Sequence, residues 1–141
     1  MHILDTDIAT WLYSGKNAKV NAAYNAFPPN QILAISIITW CEIIGGRCDR
    51  LRKASTVEET AKAANALERS RLWVVNFKIV LLDERTLGLY SSYKNIKLTK
   101  GIKHMDLLQA CIALSNSATL VSRNTKDFRL LSLLKIENWA E

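Results

Sequence analysis

The stretch HILDTDI, residues 2–8, joins a short apolar run directly to two carboxylates. Residues 2–5 have the apolar character of a buried strand, and residues 7–13 that of a helix. Asp5 and Asp7 therefore fall where the first strand meets the first helix. Either acid can cap that helix, and capping is the role that we assign to Asp7. Asp5, at the end of the strand, is a candidate for chemistry.

The rest of the chain alternates strands with helices in the same way. Such alternation predicts an α/β fold with an open parallel sheet of four to five strands, flanked by helices on both faces. Pro28-Pro29 and Gly45-Gly46 are expected to end helices, and Ser55-x-x-Glu58 has the pattern of a capping box. The further strands are expected at residues 32–36, 77–82, 118–122 and around Ile136, and the further helices at 17–27, 37–46, 55–70, 84–95, 104–115 and 128–134.

Length and composition are those of a globular protein. The 141 residues, 49% of them hydrophobic and 23% charged, fit a single domain over residues 1–141. No apolar run approaches the roughly 18 residues of a membrane span, and no signal-peptide pattern is present, so we expect a cytoplasmic protein without membrane association. Three cysteines without CxxC spacing favour neither disulfides nor zinc, and we expect them to be buried.

The chain is basic, with 19 Lys and Arg against 13 Asp and Glu and a net charge of +6. The basic residues concentrate in three segments, residues 45–53, 93–104 and 122–129. Such segments are often solvated faces, but around a site they favour a polyanionic partner.

Acidic and amide side chains fall at one predicted edge of the sheet. Asp5 ends the first strand, Glu42 lies in the helix after the second strand, and Asp106 lies in a helix first turn. Asn124 and Asp127 follow the strand at 118–122. Ligands of open parallel sheets bind beyond the carboxyl ends of the strands. Grouped acids repel one another unless a cation neutralises them, and oxygen ligands suit Mg²⁺ or Mn²⁺.

Each of these residues also has an ordinary explanation. Asp106 would complement a helix dipole, and Asn124 and Asp127 are common turn residues. Glu42 lies between Cys41 and Ile43 on an apolar helix, where we expect it to be buried and therefore paired. It is the joint occurrence of the acids that favours a metal site.

Five segments resemble the PIN-domain ribonucleases in order and spacing, above all the VapC-type toxins of toxin–antitoxin pairs. They are ILDTDI (3–8), SIITWCEIIGG (36–46), GIKHMDLLQACIAL (101–114), LVSRNTKDF (120–128) and ENW (137–139). By this resemblance Asp5, Glu42 and Asp106 match the family's three core acids, and Asp127 matches an additional one. Ser122 and Asn124 stand where relatives have Thr or Ser and Asp or Asn. Asn124 in place of Asp lowers the charge and leaves open whether the site takes one ion or two.

The resemblance implies an Mg²⁺- or Mn²⁺-dependent endoribonuclease that hydrolyses RNA phosphodiester bonds and inhibits translation as a toxin. It also implies a cognate small antitoxin protein and a homodimer. Asp5 and Asp106 would bind the metal directly, Glu42 would be a ligand or orient water, and Asp127 would bind directly or through water. Ser122 and Asn124 would not bind the metal directly but would orient an acid or hold the attacking water.

Two alternatives differ in class. A haloacid dehalogenase-type phosphatase also begins with a strand followed by D-x-D, but Ala9 stands where that motif has Thr or Val. A catalytically inactive PIN-like module that binds RNA or protein is the other alternative, and an incomplete set of acids would favour it.

Overall fold

The structure is a computed structural model, and it describes residues 1–141 except for the side chain of Leu98. Five strands form one fully parallel sheet in the order β3-β2-β1-β4-β5. This confirms the predicted α/β class with an open parallel sheet. The strands are β1 (His2–Leu4), β2 (Leu33–Ser36), β3 (Lys78–Val80), β4 (Thr119–Val121) and β5 (Lys135–Glu137).

Seven helices cover the sheet. They are α1 (Thr6–Ser14), α2 (Ala18–Asn25), α3 (Ile37–Lys53), α4 (Val57–Val74), α5 (Glu84–Lys94), α6 (His104–Ser115) and α7 (Thr125–Phe128), with a 3₁₀ turn at Lys97–Thr99 between α5 and α6.

Successive residues of the central strands enter two separate cores. In β1, Ile3 belongs to the core that contains α6, and Leu4 belongs to the core that contains α1 and α2. Leu120 and Val121 of β4 divide between the two cores in the same way. Since side chains alternate across a strand, apolar residues at consecutive positions require a helix layer on each face of the sheet.

Several predicted helix boundaries are wrong, among them the end of α4, which lies at Val74 rather than near Ser70. Helix α3 continues through Gly45-Gly46 to Lys53, because neither glycine has the positive φ that ends a helix. The capping box of α4 consists of Thr56 and Glu59, one residue beyond the predicted pair. Helix α7 ends at Phe128, where a helix over 128–134 was predicted.

The strand order places a crevice at the middle of the sheet. From β1 the chain builds outward to β2 and β3 on one side, and later to β4 and β5 on the other. The connections after β1 and β4 therefore diverge at their carboxyl ends, which is where open α/β sheets bind ligands. Asp5 directly follows β1 and Ser122 directly follows β4, so both lie at this crevice. Among the described residues, no helix is both long enough and apolar enough to cross a membrane.

Candidate active site

An open cleft of about 900 Å³ lies beyond the carboxyl ends of the central strands. Five carboxylates and two cations contribute to its walls, together with small and polar residues of α3, α6 and the β4–α7 turn. Its charged residues are Asp5, Asp7, Glu42, Asp49, Asp106, Lys103 and Arg123.

Asp5 forms the floor of the cleft. Its side chain is buried, with 9% of the residue exposed, and it caps α1 by accepting the backbone N–H of Ile8 at 2.8 Å. The capping role predicted for Asp7 therefore belongs to Asp5. The Ser122 hydroxyl lies close enough to the Asp5 carboxylate to lower its pKa, and the Oγ atom of Ser122 accepts the backbone N–H of Asn124 at 3.0 Å. The start of the β4–α7 turn thus helps to position Asp5.

Burial dominates the ionisation of this carboxyl. The pKa of Asp5 is raised from 3.8 to about 6; burial is the largest cause, the nearby charges of Asp7 and Asp106 act in the same direction, and the interactions with Ser122 and Ile8 oppose them. Asp5 is therefore a carboxylate whose negative charge is poorly compensated by the protein at neutral pH.

Asp106, the third residue of α6, also lines the cleft, and its charge contributes to the raised pKa of Asp5. Its pKa is raised by partial burial and then by the charges of Glu42, Asp127 and Asp7, against the opposing charge of Lys103. The acids predicted to converge therefore influence one another electrostatically in the folded chain.

Glu42, the sixth residue of α3, accepts a hydrogen bond from the Thr6 hydroxyl. The expectation that Glu42 is buried is wrong, because this face of α3 borders the open cleft rather than a core. The adjacent Cys41 is exposed for the same reason, and Cys48 is half-buried, so only Cys111 has the predicted burial.

Asp127 lies at the flank of the cleft and is not among its lining residues. It accepts a hydrogen bond from the Nδ2 atom of Asn124 at 3.0 Å and contributes to the raised pKa of Asp106. Asn124 lines the cleft itself. The amide therefore connects the turn that orients Asp5 with the acid at the flank.

A buried polar network beneath the cleft joins α3, α6 and β1. The Nε2 atom of Gln109 donates to the Thr39 hydroxyl at 3.2 Å, and that hydroxyl donates to the Leu4 carbonyl at 3.1 Å. Thr39 also donates its backbone N–H to the Ser36 hydroxyl at 3.0 Å. Satisfied buried networks of this type hold their elements in one arrangement. Here the network links the helices carrying Glu42 and Asp106 to the strand end that carries Asp5.

Sequence reasoning missed Thr6 and Arg123. The Nε atom of Arg123 donates to the Asp7 carboxylate at 2.6 Å across 116 positions of sequence. The one sequence signal for Arg123 was its place in the basic segment 122–129, directly after a strand. The structure gives Asp7 an ionic partner where the sequence indicated a cap.

The donor set of the cleft is suited to a hard divalent cation. Its acids offer only oxygen, and the two whose pKa values are raised lie where a cation would relieve the repulsion. Within the described part of the chain, no three His, Cys, Asp or Glu side chains are already gathered into a metal-binding group. The acids are therefore chemically suitable ligands for such an ion, but they are spread around the open cleft rather than already grouped.

Comparison with known proteins agrees with this fold. The PIN domain family model matches residues 2–132. Ribonuclease VapC1 of Haemophilus influenzae is 28% identical over 144 residues, covering 100% of this chain and 99% of the relative. The structure of VapBC-1 from nontypeable H. influenzae superposes with a TM-score of 0.78 at 25% identity, covering 99% of this chain and 98% of that one. A toxin–antitoxin complex from Klebsiella pneumoniae gives a TM-score of 0.67 at 28% identity, covering 100% and 99%.

Proposed function

Because the chain belongs to the PIN domain family, we propose that it is a divalent-metal-dependent endoribonuclease of the VapC toxin type. The single observation that carries this proposal is the pairing of Asp5 with Asp106 in one cleft. Both carboxyl groups have raised pKa values; the charge of Asp106 contributes to the raised pKa of Asp5, and the charge of Asp7 contributes to both. A protein retains such unfavourable charges where function requires them.

Each acid is assigned a role by its position in the cleft. Asp5 and Asp106 would hold an Mg²⁺ or Mn²⁺ ion, with Asp127 contributing from the flank directly or through water. When bound, such an ion supplies Lewis-acid stabilisation of the charge that develops on the phosphodiester. Glu42 is exposed and accepts a hydrogen bond from the Thr6 hydroxyl, and it would orient the attacking water or accept its proton. Ser122 and Asn124 hold Asp5 and Asp127 in position.

The first prediction is that purified protein cleaves RNA with Mg²⁺ or Mn²⁺, and that EDTA abolishes this cleavage. Asp106→Asn should remove cleavage, because the side chain keeps its size while the site loses a negatively charged ligand. Gel analysis of total RNA after incubation with each metal measures the result, and mapping the cut ends identifies the target.

Asp83→Asn is the matched control. Asp83 is also an acid at the start of a helix, where it caps α5, and it is not among the residues lining the cleft. It should retain full activity. Cleavage that continues undiminished in EDTA, or in the Asp106→Asn variant, would contradict the metal mechanism.

The chain should also bind a small antitoxin protein that inhibits cleavage. The solved relatives from H. influenzae and K. pneumoniae are described as VapBC or toxin–antitoxin complexes, and they cover nearly the whole of this chain. Isolation of the tagged chain from its native host, followed by mass spectrometry, should recover one small protein in stoichiometric amount. That protein, added back, should suppress RNA cleavage, and recovery of no such protein would count against the antitoxin.

A homodimer is proposed as the state of the free toxin. Several large apolar side chains lie on the surface, including Val57 at 89% exposure and Leu133 at 79%. Where such side chains form one contiguous patch, a protein partner typically covers it. Light scattering over a range of concentrations checks this proposal, and a monomer at every concentration would contradict it.

A further inference from the structure

The acidic side chains of the cleft repel the phosphates of an RNA substrate. Five carboxylates line it, and the only cationic side chains among its described lining residues are Lys103 and Arg123. A phosphodiester chain that enters must meet a cation at the rim, or repulsion will exclude it. Lys103 lies beside Asp106, whose charge it partly offsets. Arg123 also lines the cleft, from the β4–α7 turn.

Arg123 is held in place by two residues on one face of α1. Its Nε atom donates to Asp7 at 2.6 Å, and its guanidinium carbon lies 5.2 Å from the centroid of the Trp11 ring. Asp7 and Trp11 are four positions apart on α1, so their side chains emerge on the same side of the helix. The ion pair is more than half exposed, so its contribution to stability is small. Stability alone does not explain the arrangement.

Most of the hydrogen-bonding capacity of the guanidinium is unused. An arginine side chain has five N–H donors, and only the one on Nε has a partner among the described residues. Both terminal nitrogens remain able to donate a parallel pair of hydrogen bonds, the geometry that matches two oxygens of a phosphate. Fixing the side chain in advance lowers the entropy cost of that contact.

We propose that Arg123 binds a phosphate of the RNA next to the scissile one, and that Asp7 and Trp11 position it for this contact. The neighbouring phosphate is assigned because Arg123 is exposed at the rim, whereas Asp5 lies at the buried floor. This inference rests on the proposed ribonuclease function. It assigns to Asp7 the role of positioning the Arg123 guanidinium rather than of binding the metal ion.

Replacing Asp7 distinguishes two explanations, because they predict opposite changes in RNA affinity. Asp7→Ala removes a negative charge from the cleft, which on charge alone strengthens RNA binding. If Asp7 positions Arg123, the same change weakens binding because the guanidinium is released. Asp7→Asn retains an oxygen that accepts from Nε, so this variant should bind RNA at least as tightly as the unsubstituted chain does.

The experiment measures KM and kcat with Mn²⁺ on a mixed-sequence single-stranded RNA, and RNA affinity in EDTA over a salt series. Arg123→Ala should raise KM about tenfold with kcat little changed, the loss expected for a charge-assisted hydrogen bond made outside the reacting bonds. The slope of log affinity against log salt should fall by about 0.7, the contribution of one phosphate contact in single-stranded RNA. Arg123→Lys should keep the slope but still raise KM, because it retains the charge without the two-pronged geometry.

Arg71→Ala is the matched control, since Arg71 forms a similarly exposed ion pair with Glu68 on α4 and does not line the cleft. It should leave KM and the salt slope unchanged. Melting temperatures establish that each variant is folded, and if Arg123→Ala is unfolded at the assay temperature, the Lys variant decides.

Two results would overturn the inference while leaving the proposed function intact: an Arg123 variant with the KM and slope of the Arg71→Ala control, or tighter RNA binding by Asp7→Ala. Absence of RNA cleavage by the unsubstituted chain with Mn²⁺ would instead overturn the proposed function, and the inference with it.

Discussion

At the scale of single residues, the carboxyl of Asp5 is both a helix cap and the most buried acid of the cleft. Burial raises its pKa to about 6 in the folded chain, against 3.8 for an exposed aspartate. For an acid whose folded pKa is raised, the favourable contribution to stability is complete below the unfolded value and is lost as pH rises through the folded value. The ionised form at neutral pH therefore destabilises the metal-free protein, by about 3 kcal/mol at most.

Asp5→Asn should consequently stabilise the metal-free protein at pH 7.5. Asparagine keeps an oxygen for the Ile8 N–H and cannot ionise, so the free energy of unfolding should exceed that of the unsubstituted chain by up to about 3 kcal/mol. The gain should shrink as pH falls from 7 towards 4. Urea unfolding in EDTA across this range measures it, and a difference independent of pH would show that the pKa of Asp5 is not raised in the folded chain.

How far the site was predictable from sequence depends on the range of each contact. The positions of Asp5 and Asp106 follow from strand and helix ends, which local patterns reveal. The Thr6–Glu42 contact and the Arg123–Asp7 pair join segments 36 and 116 positions apart. Such contacts depend on how the elements pack, which no local pattern contains. For the same reason the exposure of Glu42 was wrongly predicted, since its apolar neighbours suggested a core.

At the scale of elements, α3 shows why a glycine pair is an ambiguous signal. Glycine ends a helix when it adopts positive φ, as Gly15 does after α1 with φ of 65°. Gly46 instead stays within α3, and its neighbours allow a side chain, because a Cβ atom built there has no heavy atom within 4 Å. The parallel sheet and the helix layers on both of its faces were predictable from alternation, whereas this boundary depended on backbone conformation.

Gly46→Ala should therefore stabilise the protein by about 0.5–1 kcal/mol, because alanine loses less conformational entropy in a helix. Gly15→Ala is the matched control, and it should destabilise, because its left-handed conformation disfavours a side chain. Thermal or urea unfolding of both variants measures the two changes. Destabilisation by Gly46→Ala would indicate that α3 bends or breaks at the glycine pair.

At the scale of the whole molecule, the net charge of +6 contrasts with the acidic lining of the cleft. The positive charges must then lie elsewhere, and one concentration follows α5 and leads into α6. Lys97, Lys100 and Lys103 are all exposed there, and Lys103 reaches the cleft itself. A basic approach to an acidic site attracts RNA over distance while leaving the acids for the metal.

The last prediction tests this charge distribution with two pairs of lysines. Lys100→Ala with Lys103→Ala should weaken RNA binding and lower the slope of log affinity against log salt by roughly 1.4, since each lysine that binds a phosphate of single-stranded RNA adds about 0.7 to it.

Lys78→Ala with Lys135→Ala removes the same charge from the opposite edge of the sheet, because these residues begin β3 and β5 at the amino ends of the strands. Both control positions are exposed, as Lys100 and Lys103 are, so the change in net charge is matched. If RNA contacts the segment before α6, only the first pair should change the slope, as measured by fluorescence anisotropy with a labelled single-stranded RNA in EDTA. Equal changes for the two pairs would mean that net charge alone attracts RNA, and no change for either would assign Lys100 and Lys103 to the solvated surface.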